Sequence, residues 1–287
     1  MTISINSNLA SVRSQRLLGA ASDSLNKTYE KLTSGQRINR ASDDAAGLAI
    51  AESLRVNARL ATVGVRNAQD GISAIAVADG ALASIGGVLS RLAELTQQAA
   101  NGSYSTVQRS ALQAEFSTLG SEIERIAVTT TFNGVSLLSG SAQITFQIGF
   151  DGASTSQIQL DQGGGATLQR LGLATSGSSA LTYSLTGTST DFAQSAAREA
   201  LAAVNGAITS LNTLRGTLGT VEGRLQSAIT NLTTSRENIQ AAESRISDVD
   251  VAVEAAELTR LNILQQAGSA VLAQANQQPQ LAVQLLR

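Results

Sequence analysis

From Ala197 to Leu232 apolar residues return at every third or fourth position without a gap. Ala197, Leu201, Val204, Ile208, Leu211, Leu214, Leu218, Val221, Leu225, Ile229 and Leu232 form one stripe. That period belongs to a helix with a single long apolar face, and such a face needs a partner. Gly216, Gly219 and Gly223 lie inside the run, each costing ~1 kcal/mol relative to Ala in a helix. Burying each nearby Leu or Val contributes roughly 1.5–3 kcal/mol, so the helix holds only if its stripe is covered by another helix.

The same period recurs along the chain. Ile5, Leu9 and Val12 lead into Leu18, Ala21, Leu25, Thr28 and Leu32, a heptad-like seam that should end at Ser34-Gly35. A polar connector, Gln36–Asp44, follows, and Ser42-Asp43-Asp44 reads as a helix start with Ser42 as its cap. The next helix carries Leu48, Leu54, Val65, Ala68, Ile72, Ile75, Leu82, Ile85, Leu89 and Leu92 and stops at Asn101-Gly102. Another is expected over Thr106–Thr129 with Leu112, Phe116, Leu119, Ile123 and Ile126 inward, and Asn133-Gly134 then signals a turn. The last segment, Ile246–Arg287, sets Ile246, Val249, Val253, Ala256, Ile263, Ala267 and Val271 on one face and Leu258, Leu261, Leu264 and Leu272 on an adjacent one. Two faces exceed what one partner helix covers, so one should meet the N-terminal helix and the other a second molecule.

Only the middle changes period. Ile144, Phe146, Ile148 and Phe150 alternate strictly, as do Ile158 and Leu160, which predicts a β-hairpin with a loop longer than the tightest kind. Gly163–Gly165 reads as a turn, Leu181, Tyr183 and Leu185 as a further strand, and Thr175–Thr190 as an exposed Ser/Thr/Gly stretch. The expected fold is therefore mainly α, a long antiparallel helical bundle or coiled coil with both termini paired and a small central β-hairpin region. Residues 1–44 and 246–287 form the paired terminal helices, 45–140 and 191–245 a helical domain, and 141–190 its hairpin and loops.

Composition narrows the chemistry. The 287 residues include no Cys, no His and no Trp, and a single proline, Pro279. Disulfides and thiolate metal sites are excluded, and the commonest acid–base catalyst is missing. A net charge of −2 gives no general basis for nucleic-acid binding. Met1–Ala10 lacks the pattern of a general secretory signal, and no stretch reads as a bilayer span. Asp43-Asp44 is a capping pair and not a catalytic one, because adjacent helical residues point apart. Gly163-Gly164-Gly165 lacks the context of a phosphate loop. Gly219 to Gly223 is no membrane motif, with Glu222 and Arg224 in and beside it. Asn101-Gly102-Ser103 and Asn231-Leu232-Thr233 fit the N-glycosylation pattern, a three-residue signal that carries little weight by itself. No enzyme activity, metal or cofactor is expected.

Several long motifs in order resemble one family, bacterial flagellin. They are Leu32-Thr33-Ser34-Gly35-Gln36-Arg37-Ile38-Asn39-Arg40-Ala41-Ser42-Asp43-Asp44-Ala45-Ala46-Gly47, Arg66–Ser73, Thr131-Phe132-Asn133-Gly134, Ile263–Gly268 and Val271–Gln277, with Leu285-Leu286-Arg287 at the end. The resemblance covers Met1–Gly140 and Asp191–Arg287, and the short middle implies a form without large outer domains. It implies a secreted, extracellular subunit that polymerises with itself into the flagellar filament for swimming motility, exported unfolded through the flagellar type III apparatus. It further implies a cap and hook-associated proteins as partners, and terminal segments that fold only on assembly. An export chaperone on Ile246–Arg287 is implied as well. No nucleic acid and no membrane insertion are expected. The assembly seam is expected at Leu18, Leu25, Leu32, Val249, Val253, Ile263 and Val271. Arg91, Leu95 and Glu115 match positions that a vertebrate Toll-like receptor contacts on receptor-active flagellins; the resemblance implies an inter-subunit contact in the filament at this face, with receptor recognition as an additional expectation. Thr175–Thr190 either carries O-linked glycans or is an undecorated turn region. Two alternatives stand beside this reading: a hook–filament junction protein, and a secreted helical effector or adhesin.

Overall fold

The computed structural model describes residues 7–139, 143–160, 165–186 and 190–285. Ile5, Gly163 and Gly164, residues 187–189 of the Ser/Thr stretch, and Leu286-Arg287 lie outside them. Five long helices and two small antiparallel strand pairs follow one another: α1 (Leu9–Ser34), α2 (Ala45–Ala99), α3 (Thr106–Thr129), β1 (Thr131–Phe132), β2 (Val135–Ser136), β3 (Ile144–Gln147), β4 (Gln157–Leu160), α4 (Thr190–Ser247) and α5 (Val251–Leu285). The chain divides into two compact units. Unit 1 holds residues 1–58 and 237–287, and unit 2 holds 59–236. The boundaries expected at 44 and 246 fall inside unit 1, because α2 and α4 each run on within it; there Arg55 Nη2 meets Glu243 Oε1 at 3.0 Å.

Helix ends are set by local chemistry. Asn8 caps α1 by accepting from Ser11 N at 3.0 Å, and Gly35, at φ 70°, closes it in the left-handed region where glycine carries no penalty. At α2 the cap is Asp44, which accepts from Gly47 N at 2.8 Å, and not Ser42 as the sequence suggested. Asp43 turns back instead and accepts from Arg40 N and Asn39 N. These two bonds, Arg40 first, hold its carboxyl below the ordinary value. A capping box opens α3, with Ser105 and Gln108 exchanging backbone N–H bonds.

Unit 2 is organised on two heptad seams. Along α2, Ala61, Gly64, Ala68, Gly71, Ile75, Ala78, Leu82, Ile85, Leu89, Leu92, Thr96 and Ala99 are all buried at steps of three and four. Along α4, Ala197, Val204, Leu211, Leu218, Leu225 and Leu232 are buried seven residues apart. The two helices interlock antiparallel: a β-carbon at Gly71 would lie 3.1 Å from Leu225 Cδ1, and one at Gly86 3.3 Å from Leu211 Cδ2. Arg215 grips Asp79 from Nε at 2.7 Å and Nη2 at 3.1 Å, which lowers the Asp79 carboxyl. Phe116 and Ile123 of α3 complete the same core. Gly216, Gly219 and Gly223 face open space while Leu218, Val221 and Leu225 are buried, so covering the stripe does sustain the helix across them.

By length and composition alone, α2 contains an 18-residue stretch apolar enough to cross a bilayer, which corrects the sequence expectation. Its Ala- and Gly-rich composition serves the seam, which is packed inside unit 2.

The strand pairs rest on this core. Asn133 (φ 50°) and Gly134 (φ 79°) make the two-residue turn between β1 and β2. Strand β3 pairs with β4 from Ile144↔Leu160 to Gln147↔Gln157, across the expected longer loop. The hairpin reaches α2 through Phe146 and Ile148 at Gly71 and Gly64, and Asn67 Nδ2 donates to Gln147 O at 2.8 Å. No strand forms at Leu181, Tyr183 and Leu185. Leu185 N donates to the Gln113 side chain, and Leu185 is fully buried while Leu181 packs on Gly120. The stretch is therefore pinned to α3, although Thr175, Ser176, Ser179 and Thr182 are exposed as expected.

Gly64 and Gly219 give opposite outcomes for one substitution. A methyl at Gly64 meets the carbonyl oxygen of Ile148, backbone that cannot yield cheaply. Gly64→Ala should lower stability by about 1–3 kcal/mol, against a helix-propensity gain of ~1 kcal/mol. Gly219→Ala meets nothing and should raise stability by up to ~1 kcal/mol. Thermal unfolding followed by circular dichroism checks both signs.

Candidate assembly surface

Unit 1 is built on the antiparallel pair of α1 and α5. At its base a backbone bridge joins Gln36 and Asp248, with Arg37 N donating to Ser247 O at 2.6 Å and Val249 N to Gly35 O at 3.1 Å. Farther along, Lys31 Nζ lies 3.8 Å from Glu254 Oε1. At the far end Asn8 Nδ2 donates to Ala275 O at 2.8 Å, and Ser11 Oγ to Asn276 Oδ1 at 2.7 Å.

The pair buries one face of each helix and leaves another uncovered. Leu25, Thr28, Leu261 and Ala275 are buried, and Leu18, Leu32, Val249, Leu258 and Leu272 are half-buried. Val253, Ile263 and Val271 are 64%, 60% and 57% exposed, beside exposed Val251 and Leu264. On α1, Leu9, Val12, Leu17 and Tyr29 are exposed as well. The expected seam thus splits. Leu18, Leu25, Leu32 and Val249 belong to the α1–α5 pair, Val253 and Ile263 stand outside it, and Val271 lies on its open edge, in the groove that Leu18 also lines. An open groove of about 330 Å³, lined by Leu17, Leu18, Ala21, Leu264, Ala267 and Val271 among others, runs between the helices. These uncovered apolar rows make the pair the candidate interaction surface of the chain. Sequence periodicity missed Asn8, Ser11 and the Gln36–Asp248 bridge, because polar seam contacts leave no hydrophobic signature.

A second constellation lies on unit 2. Arg91 Nε donates to Glu115 Oε1 at 2.9 Å, and its Nη1 to Glu94 Oε2 at 2.9 Å. The bonds to Glu94 and then Glu115 hold the Arg91 guanidinium above its ordinary value. All three side chains are solvent-exposed, so the cluster is cheap to open toward a partner. Leu95, expected on the same face, is fully buried in the α2 seam region. The turn between positions 91 and 95 is enough to carry Leu95 inward beside Thr96, so the outward face consists of Arg91 and Glu115.

Arg109 is a functional-looking group that pattern reading passed over. It is 1% exposed and donates to the carbonyls of Ala99, Asn101 (2.9 Å) and Tyr104 (3.2 Å). The cation closes the C-terminal, partially negative end of α2 and fixes the corner to α3. Among the described residues no group of three or more Asp, Glu, His or Cys is placed to hold a metal ion. Asp43 and Asp44 are committed to separate backbone N–H groups.

Comparison with known proteins gives a consistent picture. The bacterial flagellin N-terminal helical region matches residues 5–143, and the C-terminal helical region matches 201–286. The chain is 43% identical over 284 residues to a flagellin of Halalkalibacterium halodurans, covering 99% of both chains. It is 41% identical over 305 aligned residues to a flagellin of Bacillus subtilis and 39% over 294 to flagellin FlaB2 of Treponema pallidum, again with 99% of each chain covered.

The two arginines should differ sharply in weight. Arg109→Met leaves the buried Ala99 carbonyl and the part-buried Asn101 and Tyr104 carbonyls without their donor and should cost about 1–3 kcal/mol. Arg91→Ala removes only exposed pairs and should cost less than about 1 kcal/mol. Chemical denaturation of both variants, read as midpoint shifts, distinguishes them; equal shifts would contradict the corner role of Arg109.

Proposed function

The chain belongs to the bacterial flagellin family, and from that premise we propose that its α1–α5 pair is the assembly element that lines the filament channel. It is a subunit of the flagellar filament, a structural protein and not an enzyme. Neither alternative reading, a junction protein or a helical effector, is favoured by the relatives. The observation that carries the proposal is the uncovered row Val253, Ile263 and Val271 on α5. One face of α5 closes on α1, and the other is left for neighbouring copies.

Thermodynamics supports folding of this pair on assembly. Ordering a residue costs ~1–2 kcal/mol of backbone entropy, and helices with an uncovered apolar face recover too little of it alone. In the proposed sequence the chain is exported unfolded through the flagellar type III apparatus and added beneath a cap. Hook-associated proteins flank the filament, and an export chaperone covers residues 246–287 beforehand. A groove that accepts an amphipathic helix suits that segment's apolar faces.

Ile263→Ser with Val271→Ser should abolish seeded polymerisation, measured by sedimentation, while thermal unfolding of the helical core is unchanged. Unaltered pelleting would sink the assignment of this face. In the parent chain, helix content by circular dichroism should rise on polymerisation as α1 and α5 order.

Arg91 and Glu115 support a further reading of the unit 2 face: inter-subunit contact in the filament, and recognition of the free monomer by a vertebrate Toll-like receptor. Arg91→Ala should reduce receptor signalling by monomer about tenfold or more, the weight of a charged hot spot. Parent monomer that fails to signal at concentrations where a stimulatory flagellin does would rule the receptor reading out.

A further inference from the structure

We propose that the register of α1 on α5 is set by one knob-and-notch contact, Leu18 on Gly268, with a backbone clamp at one end of the pair and a polar lock at the other. This rests on the pairing proposed above as the assembly element. A heptad seam does not choose its own register, since a slip of seven residues again places apolar on apolar. Ser11, Leu18 and Leu25 occupy equivalent heptad positions on α1, as do Leu261, Gly268 and Ala275 on α5. The structure seats Leu18 on the one glycine of α5: Leu18 Cδ1 lies 3.3 Å from where a β-carbon on Gly268 would stand. By contrast, a β-carbon on Gly19 would meet nothing within 4 Å.

The contacts exclude slips in both directions. A slip of one heptad toward Leu261 sets Leu18 against a leucine and leaves the notch at Gly268 facing the small Ser11, which combines overpacking with a void. The opposite slip moves Leu18 to Ala275 and carries Ser11 past Asn276. It strands the buried Ser11 hydroxyl and the Asn8 amide, which now bond Asn276 Oδ1 and Ala275 O. Either slip also opens the Gln36–Asp248 bridge. Glycine is a poor helix former, so its presence at the one α5 position beneath Leu18 is explained by the space it leaves.

The chain has no cysteine, which allows a direct test in filaments of the full chain. Gln36→Cys with Asp248→Cys places a thiol pair across the antiparallel backbone bridge, where facing Cα atoms lie about 4.5–5.5 Å apart and a disulfide fits, so oxidation reports the native register as an intramolecular disulfide. Adding Gly268→Leu should lower its yield about tenfold, as overpacking of one leucine implies. Exchanging knob and notch, Leu18→Ala with Gly268→Leu, should restore the yield to within about twofold. Leucine favours helix over glycine, so the loss is not one of helix propensity. An unchanged yield in Gly268→Leu, or no recovery in the exchange, overturns the register assignment while pairing stands. No disulfide with the parent seam overturns the pairing itself. Where Gly268→Leu does not polymerise, the exchange variant decides: filaments with the native disulfide support the contact, and their absence refutes it.

Discussion

An amphipathic helix keeps its form only while its apolar seam is covered. Unit 2 meets that requirement within one chain. The α2 seam from Ala61 to Ala99 is buried against Leu211 and Leu225 of α4, against α3, and under the β3–β4 hairpin. Unit 1 meets it by half. Leu25 and Leu261 are buried in the α1–α5 pair, while Ile263 and Val271 are not. The difference between a self-sufficient core and an unfinished one is what supports the proposal that the terminal helices are completed by other copies.

Small residues determine how closely the parts approach. In α2 the seam is Ala, Gly, Ala, Gly from residue 61 to 71, under the hairpin, and turns to Leu and Ile from Leu82 to Leu92, toward α3 and α4. Gly64 and Gly71 admit the backbone of Ile148 and the ring of Phe146. Gly268 does the same for Leu18 in unit 1. The aliphatic, aromatic-poor composition thus has a structural use: narrow seams that set distance and register.

Much of this was legible from periodicity. The C-terminal end of α1, both ends of α3, the α4 stripe and the central hairpin all follow from spacing and turn residues. What escaped is what depends on a neighbour. Gly64 carries no apolar signal and Ala78 only a weak one, and their place in the seam is decided by what rests on them. Leu181 and Leu185 alternate like a strand, but the Gln113 side chain takes the Leu185 N–H and Leu173 O takes that of Thr182, so no ladder forms. Leu95 stands one turn from Arg91, yet the two fall on opposite sides of the boundary between core and solvent. Of the surface itself, the apolar α5 faces were legible, but which one meets α1 was not, because both repeat at helical spacing. Arg109 reads as an ordinary surface cation until the carbonyls at the end of α2 are placed around it.

The central claim is that α5 serves two partners, α1 on one side and a neighbouring subunit on the other. Cryo-microscopy of the native filament at side-chain resolution measures this directly. Leu261 should pack on α1 of its own chain, with Val253, Ile263 and Val271 buried against adjacent copies. A filament in which those three side chains remain exposed to solvent would contradict it.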